Sequence, residues 1–237
     1  MQKEVMLLTG AGQIGMAIAR RMGYGMKIVV GDKRIENAQA VADTMNRAGF
    51  DVLPVEMDLS SRTSILKLID TAQQYGEIAM LVNAAGVSPS QASVETILKV
   101  DLYGTAVLLE EVGKVIRQGG TGVTVSSQSG HRLPALGAET DELLACTPTE
   151  RLLELDVLQP QQIRDTLHAY QLAKRCNVKR VMSEAVKWGR RGGVLTPFLL
   201  VLLLPHWLLT NLMVCVVNFI RRCLRNVQHT VREPQTK

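Results

Sequence analysis

The sequence predicts an α/β fold built on a doubly wound parallel sheet, and three observations predict it. Apolar runs of strand length alternate with segments of helical spacing as far as about residue 190. Most of the strand runs end in Gly, Asn, Asp or Ser, the residues that turn a chain at a strand end. Aromatics make up only 4% of the 237 residues, and Ala, Val, Leu, Ile and Met fill most of the 46% apolar share, which suits helices packed on a sheet. With 21% charged residues, this composition excludes a disordered chain.

The elements follow in order. Residues 4–8 are a short apolar strand, and 13–22 have the spacing of a helix. Residues 27–30 form a second strand ending at Gly31-Asp32, followed by a helix over 35–48 and a third strand over 51–56. Residues 60–75 read as a helix that Ser60 or Ser61 can cap. A fourth strand over 79–82 runs into Asn83-Ala84-Ala85-Gly86, a long helix covers 94–116, and a fifth strand over 122–125 runs into Ser126-Ser127. Short connections between such elements are the mark of parallel βαβ units. Residues 130–168 break the rhythm as an excursion from the sheet, helical at 149–155 and 160–167, before a helix over 170–188. The expected body is residues 1–193, and 194–237 form a tail of different composition.

Charge and thiols narrow the class. The net charge is +5, but residues 194–237 hold five of the basic residues and one acid, leaving 22 basic against 21 acidic residues before them. The body is nearly neutral, so a general affinity for nucleic acid is not expected. Cys146, Cys176, Cys215 and Cys223 lie far apart with no CxxC pair, which reads as reduced thiols of a cytoplasmic protein. The N-terminal residues lack the pattern of a secretory signal. His131 and His168 flank the excursion without metal-ligand partners, so no metal site is expected.

The chemistry begins at Gly10-Ala11-Gly12-Gln13-Ile14-Gly15, a GxGxxG directly after a strand and opening a helix. The first glycine turns the chain, the second lets backbone approach a pyrophosphate, and the third lets helix and strand pack closely. The helix N-terminus then offers free N–H groups and a positive dipole end to the phosphates. Asp32 ends the second strand about 20 residues on, where a carboxylate accepts from both ribose hydroxyls of NAD and repels the 2′-phosphate of NADP. Lys33 and Arg34 follow it and would tolerate a phosphate, so NAD is the expected cofactor with NADP as the alternative. Tyr170 and Lys174 stand at i and i+4 on one helix face. A free phenol near pKa 10 is too weak a base at neutral pH, and a neighbouring ammonium favours the phenolate. Ser127 lies at the C-terminal edge of the sheet, where such folds bind ligands. Taken singly, these are also a structural glycine turn, a solvated acid, a chance YxxxK and a turn serine.

As a set, TGAGQIG, Asp32, Asp58-Leu59, Asn83-Ala84-Ala85-Gly86, Ser127-Gln128-Ser129-Gly130 and Tyr170 with Lys174 resemble the short-chain dehydrogenase/reductase family over residues 1–193. The resemblance implies a Rossmann-like sheet and hydride transfer between a nicotinamide cofactor and a small secondary alcohol or carbonyl. It implies Tyr170 as general acid/base, Ser127 orienting the carbonyl, and Lys174 binding the nicotinamide ribose while lowering the tyrosine pKa. Gly10, Gly12, Gln13, Ile14, Gly15, Asp32, Asp58, Leu59, Asn83, Ala84 and Gly86, with Tyr170 and Lys174, are the implied cofactor contacts. It also implies a homo-oligomer built on the two long helices. One departure stands out: Asp101-Leu102-Tyr103-Gly104 occupies the place of an asparagine motif, so Asp101 takes the fourth catalytic position with a charge. The long Ser127–Tyr170 gap looks like the helical insertion of the 3α-hydroxysteroid dehydrogenase/carbonyl reductase branch.

The tail departs from the family altogether. Residues 194–220 contain no Asp, Glu, Lys or Arg, the composition of a membrane-spanning candidate, although Pro197 and Pro205 weaken that reading. A second explanation is a shifted reading frame. Codons for residues 194–211 exist that, read two bases later, give VNSISPGIIVTPLALDE, which resembles the missing family segment with its Pro-Gly turn. On this hypothesis the last strands of the sheet are missing or replaced and the nicotinamide end of the site is altered, so turnover is weak or absent. The alternatives are a membrane-anchored protein, with residues 194–220 touching the bilayer, or a catalytically impaired nucleotide-binding remnant. The coding DNA decides on the frame: if the codons actually used give no family-like segment in another frame, the hypothesis fails.

Overall fold

The computed structural model describes residues 3–200. Strands β1 (Val5–Thr9), β2 (Lys27–Asp32), β3 (Asp51–Glu56), β4 (Ile78–Asn83), β5 (Thr121–Ser127) and β6 (Val194–Leu200) form one sheet of six strands in the order β3-β2-β1-β4-β5-β6. Every neighbouring pair is parallel. The strand order reverses between β1 and β4, and the crevice beyond the carboxyl ends of those two strands is where open α/β sheets bind ligands.

Helices cover both faces because the strands are apolar on both sides. On one face, Val5 and Leu7 of β1 join Val29 and Leu81 beneath α3 (Arg62–Gln73), α5 (Thr105–Val115) and α7 (Thr166–Arg190), which contribute Leu68, Leu108 and Trp188. On the other, Met6 and Leu8 join Ile28, Val30 and Val82 beneath α1 (Gln13–Met22) and α2 (Ile35–Arg47), through Ile18, Val41 and Met45. A third core binds the excursion to the body, with Leu133, Leu144, Leu152 and Leu158 against Ala169, Leu172 and Cys176 of α7.

The structure differs from the sequence expectations at three places. The long helix expected over 94–116 is interrupted. α4 (Val94–Ile97) passes into a π-helical segment, Leu98–Gly104, before α5. The excursion contains α6 (Ala138–Cys146), which its sequence did not signal, whereas residues 160–165 are not helical. α7 begins instead where the Asp165 carboxylate accepts a hydrogen bond from the His168 amide at 2.7 Å. Finally, the body was expected to end at 193 with the following strands missing or replaced, yet the sheet runs across that boundary. β6 pairs with β5 from Thr121↔Val194 to Ser127↔Leu200. An uncharged run satisfies the requirements of a parallel strand as well as those of a membrane span. Pro54 and Pro197 fall in β3 and β6, the outer strands of the described sheet, where a missing N–H is tolerated. The rest of the tail lies outside the described residues. Among those described, no helix is long and apolar enough to cross a membrane.

Candidate active site

The glycine turn joins β1 to α1 as its sequence pattern requires. Gly10 has φ +88°, and a Cβ there would stand 2.6 Å from the Ala85 amide nitrogen. A Cβ on Gly15 would meet the Gly10 carbonyl oxygen at 2.6 Å, so the third glycine is what lets α1 sit on the turn. Gly12 differs: nothing lies within 4 Å of where its Cβ would be. That space opens into a cleft of about 650 Å³, lined by Gly10, Gly12, Asp32, Asp58, Leu59 and Gly86 among others. No side chain caps the first turn of α1, so its leading N–H groups are left for an anion. Gln13 and Ile14 form that first turn, Gln13 exposed and Ile14 half-buried.

Asp32 and Asp58 stand on the same cleft. Asp32 closes the turn by accepting from the Ala11 amide at 2.9 Å and the Arg34 amide at 3.0 Å. Asp58 accepts from the Ser60 amide and hydroxyl at 2.8 and 2.6 Å and pairs with Lys33 at 2.9 Å. Burial raises the Asp58 carboxyl, but the Ser60 hydrogen bonds and the Lys33 ammonium outweigh it and hold the group below its ordinary range. Leu59 is buried, and Gly104 of the π-helical segment packs on its carbonyl with no room for a Cβ.

The end of β4 is held from both sides. The Thr9 hydroxyl donates to Asn83 Oδ1 at 2.7 Å, the Asn83 amide donates to the Thr105 hydroxyl at 3.4 Å, and the Ala84 amide donates to the Thr9 carbonyl at 2.9 Å. This places Ala84 and Gly86 on the cleft wall. Beyond them the Val87 amide donates to Asp101 Oδ1 at 2.8 Å.

On the other side of the switch point, β5 delivers Ser126 and Ser127, both buried. Ser126 Oγ donates to the Lys174 carbonyl at 2.9 Å, fixing α7 against the strand end. Gly130 packs against the backbone there, since a Cβ would stand 2.6 Å from the Arg175 amide. Ser127 Oγ accepts from the Ser129 amide at 3.2 Å, which leaves its own hydrogen to donate. Lys174 Nζ lies 5.2 Å from the Tyr170 ring centroid and 3.6 Å from Asp101 Oδ2. A Cβ on Gly86 would stand 3.4 Å from that nitrogen, so the ammonium adjoins the cleft wall. Burial raises the Asp101 carboxyl, and the Lys174 ammonium and the Val87 amide only partly offset this, leaving the group above its ordinary range.

The residue pattern alone does not single out Thr9, Val87, Thr105 or Ser126 as site residues. Their roles are hydrogen bonds made by threonines, a serine and a backbone amide, and nothing in the residue pattern separates these from ordinary ones. The cleft fits a dinucleotide by its size, its uncapped helix end and the acid at the end of β2.

The comparisons agree with this geometry. The sequence profile of the family described as short chain dehydrogenase matches residues 4–138. The short-chain dehydrogenase/reductase bsc3 of Alternaria brassicicola is 36% identical over 193 residues, covering 81% of this chain and 70% of that protein. Tropinone reductase-like 3 of Erythroxylum coca is 28% identical over 143 residues, and the match covers 56% of this chain and 55% of that one. Among solved structures, a short chain dehydrogenase from Burkholderia cenocepacia J2315 in complex with NADP has a TM-score of 0.62 at 21% identity, covering 83% of this chain and 73% of that one. A counterpart from Burkholderia phymatum in complex with NAD gives 0.61 at 20% identity, covering 84% and 64%. The structural matches show the shared fold, and the profile and the fungal relative show the family. On the profile match and this relative, the chain belongs to the short-chain dehydrogenase/reductase family of NAD(P)-dependent oxidoreductases.

Proposed function

We propose that this chain interconverts a secondary alcohol and a carbonyl compound with a nicotinamide dinucleotide, and that Tyr170 carries the proton. The observation behind this reading is the placement of Lys174. Its backbone is tied to Ser126 at the end of β5, while its ammonium stands against both the Tyr170 ring and the cleft wall. In this reading Tyr170 donates a proton to the carbonyl oxygen or takes one from the alcohol, and Ser127 donates a hydrogen bond to the same oxygen. Lys174 binds the nicotinamide ribose, and Asp101 stands behind it. The nicotinamide, when bound, supplies or accepts the hydride. Gly10, Gly12, Gln13, Ile14 and Gly15 take the pyrophosphate, Asp32 the adenine ribose, Asp58 and Leu59 the adenine, and Asn83, Ala84 and Gly86 the strand-end side of the cofactor.

The reading favours NAD over NADP. Asp32 lines the cleft, and Lys33 is already engaged by Asp58 rather than free for a phosphate. It further takes the chain to be cytoplasmic and to form a homo-oligomer through its long helices, since Met182 and Val186 expose apolar surface on α7. We also retain the shifted frame for residues 194–237, with weak turnover of the chain as it stands. Grafting the alternative-frame segment should then raise that turnover. Tyr170→Phe tests the central assignment: turnover of a simple secondary alcohol should fall by about 10²–10⁴-fold. Unchanged turnover would rule Tyr170 out.

A further inference from the structure

Asp101 is a fully buried carboxylate at a place where the family resemblance leads one to expect an amide. The π-helical segment Leu98–Gly104 carries it. Oδ1 is occupied by the Val87 amide, whereas Oδ2 is buried with no hydrogen-bond partner and stands 3.6 Å from Lys174 Nζ. The Lys174 side chain is only 7% exposed. A Cβ on Gly86 would lie 3.0 Å from Asp101 Oδ1 and 3.4 Å from Lys174 Nζ, so a side chain there would press on both groups. Water is therefore a poor screen between the two charges, and each acts strongly on the other.

The consequence falls on Tyr170, whose ring centroid is 5.2 Å from the same ammonium. An ammonium alone beside a phenol favours the phenolate, and a carboxylate behind that ammonium opposes the effect. We propose that Asp101 is a positioning residue that offsets the Lys174 charge, keeps Tyr170 as a neutral phenol, and so biases the site toward carbonyl reduction over alcohol oxidation. This rests on Tyr170 being the proton-handling group. In the reductive direction the carbonyl carbon receives the hydride that NADH supplies, leaving NAD. The carbonyl oxygen takes the Tyr170 proton, and the phenolate left behind recovers one from solvent. A site that holds the phenol protonated before the carbonyl arrives is suited to that direction.

At the start of α7, Asp165 caps the helix through the His168 amide, and Arg164 and Asp165 both act on the His168 imidazole; several other charges near the helix are paired away from Lys174. Asp141 of α6 is held by Arg175 and Lys179, and Glu95 of α4 by Lys99. Glu110 and Glu111 of α5 are shared by Arg62 and Lys114, and Glu184 pairs with Lys187 on α7 itself. His131, in the turn after β5, is exposed. Among the described residues, Asp101 is the one acid paired with Lys174.

The test is the phenolate absorbance of the full chain against pH for wild type, Asp101→Asn, Tyr170→Phe and the double variant, with far-UV circular dichroism checking the fold. Subtracting each Tyr170→Phe curve isolates Tyr170. The proposal expects its midpoint to fall by about one pH unit in Asp101→Asn. The pH at which NAD-dependent oxidation of cyclohexanol is half-maximal should move the same way. If Asp101→Asn does not fold, Asp101→Ser, which is smaller, makes the same prediction, and Asp101→Glu should restore the wild-type midpoint. An unchanged or raised midpoint in a folded charge-removing variant overturns the proposal. If that occurs while Tyr170→Phe still abolishes turnover, the inference alone fails. If Tyr170→Phe turns over normally, the acid/base reading fails with it.

Discussion

Two glycines of one motif answer to different forces. Gly10 is required by the fold, because its positive φ and its contact with Ala85 exclude a side chain. A Cβ on Gly12 meets nothing, so apart from its place at the N-cap of α1 the requirement there comes from what enters the cleft. Gly10→Ala should therefore destabilise the protein by about 1–3 kcal/mol, read from urea unfolding. Gly12→Ala should lower the unfolding midpoint less than Gly10→Ala does, through its N-cap position alone, while weakening NADH binding by about tenfold, or about 1.4 kcal/mol. Equal effects of both variants on stability would contradict this division. The glycines, Asp32 and Tyr170 were legible in the sequence because backbone approach, strand-end charge and i,i+4 spacing constrain residue type. Ser126 was not, since its bond to the Lys174 carbonyl depends on packing between residues 48 apart in the chain.

At the scale of elements, α7 carries most of the work. Near its start it presents Tyr170 and Lys174, and near its end Trp188 is wedged between α5 and β5. Trp188 Nε1 donates to the Leu109 carbonyl at 3.1 Å, and the indole leaves no room for a Cβ on Gly113 or Gly122. Trp188→Ala should cost about 3–5 kcal/mol, seen as a large drop in thermal midpoint, although Trp188 touches no part of the cleft. The two cysteines among the described residues behave oppositely. Cys146 on α6 is exposed, whereas Cys176 on α7 is buried and pushed up to about 11 by that burial. Brief alkylation of the native protein should label Cys146 and spare Cys176, as peptide mass spectrometry would show. The alternating strands and helices were legible from apolar periodicity. α6 was not, because its sequence AETDELLAC places only Leu144 in the core. Residues 160–165 misled because Pro160 suggests a helix start, whereas the side chain that caps the helix is that of Asp165.

At the scale of the whole molecule, the sheet order fixes the site and the surface charges fix the acid limit. Lys27 and Lys3 hold the Asp51 carboxyl below its ordinary value of 3.8, and Arg175 and Lys179 do the same for Asp141. At Glu110, burial raises the carboxyl, but the Thr149 hydroxyl, Lys114 and Arg62 outweigh it, leaving the group below 4.5. A carboxyl lowered in the folded state contributes stability that is present above its unfolded value and lost as pH falls through the folded one. The thermal midpoint should thus decline gently below about pH 6.5, where burial and Arg164 lower the His168 imidazole, and more steeply below about pH 4. A midpoint that rises on acidification would contradict the assignment. β6 extends the sheet past Gly193, where the composition changes. The sequence concealed this because an uncharged strand and an uncharged membrane segment have the same composition. If this sheet builds a working dinucleotide cleft between β1 and β4, titrating NADH fluorescence with the purified full chain will reveal it. Saturable enhancement, tighter for NADH than for NADPH and weakened by Gly12→Ala, is the predicted result; no saturable binding of either nucleotide by the folded chain would contradict it.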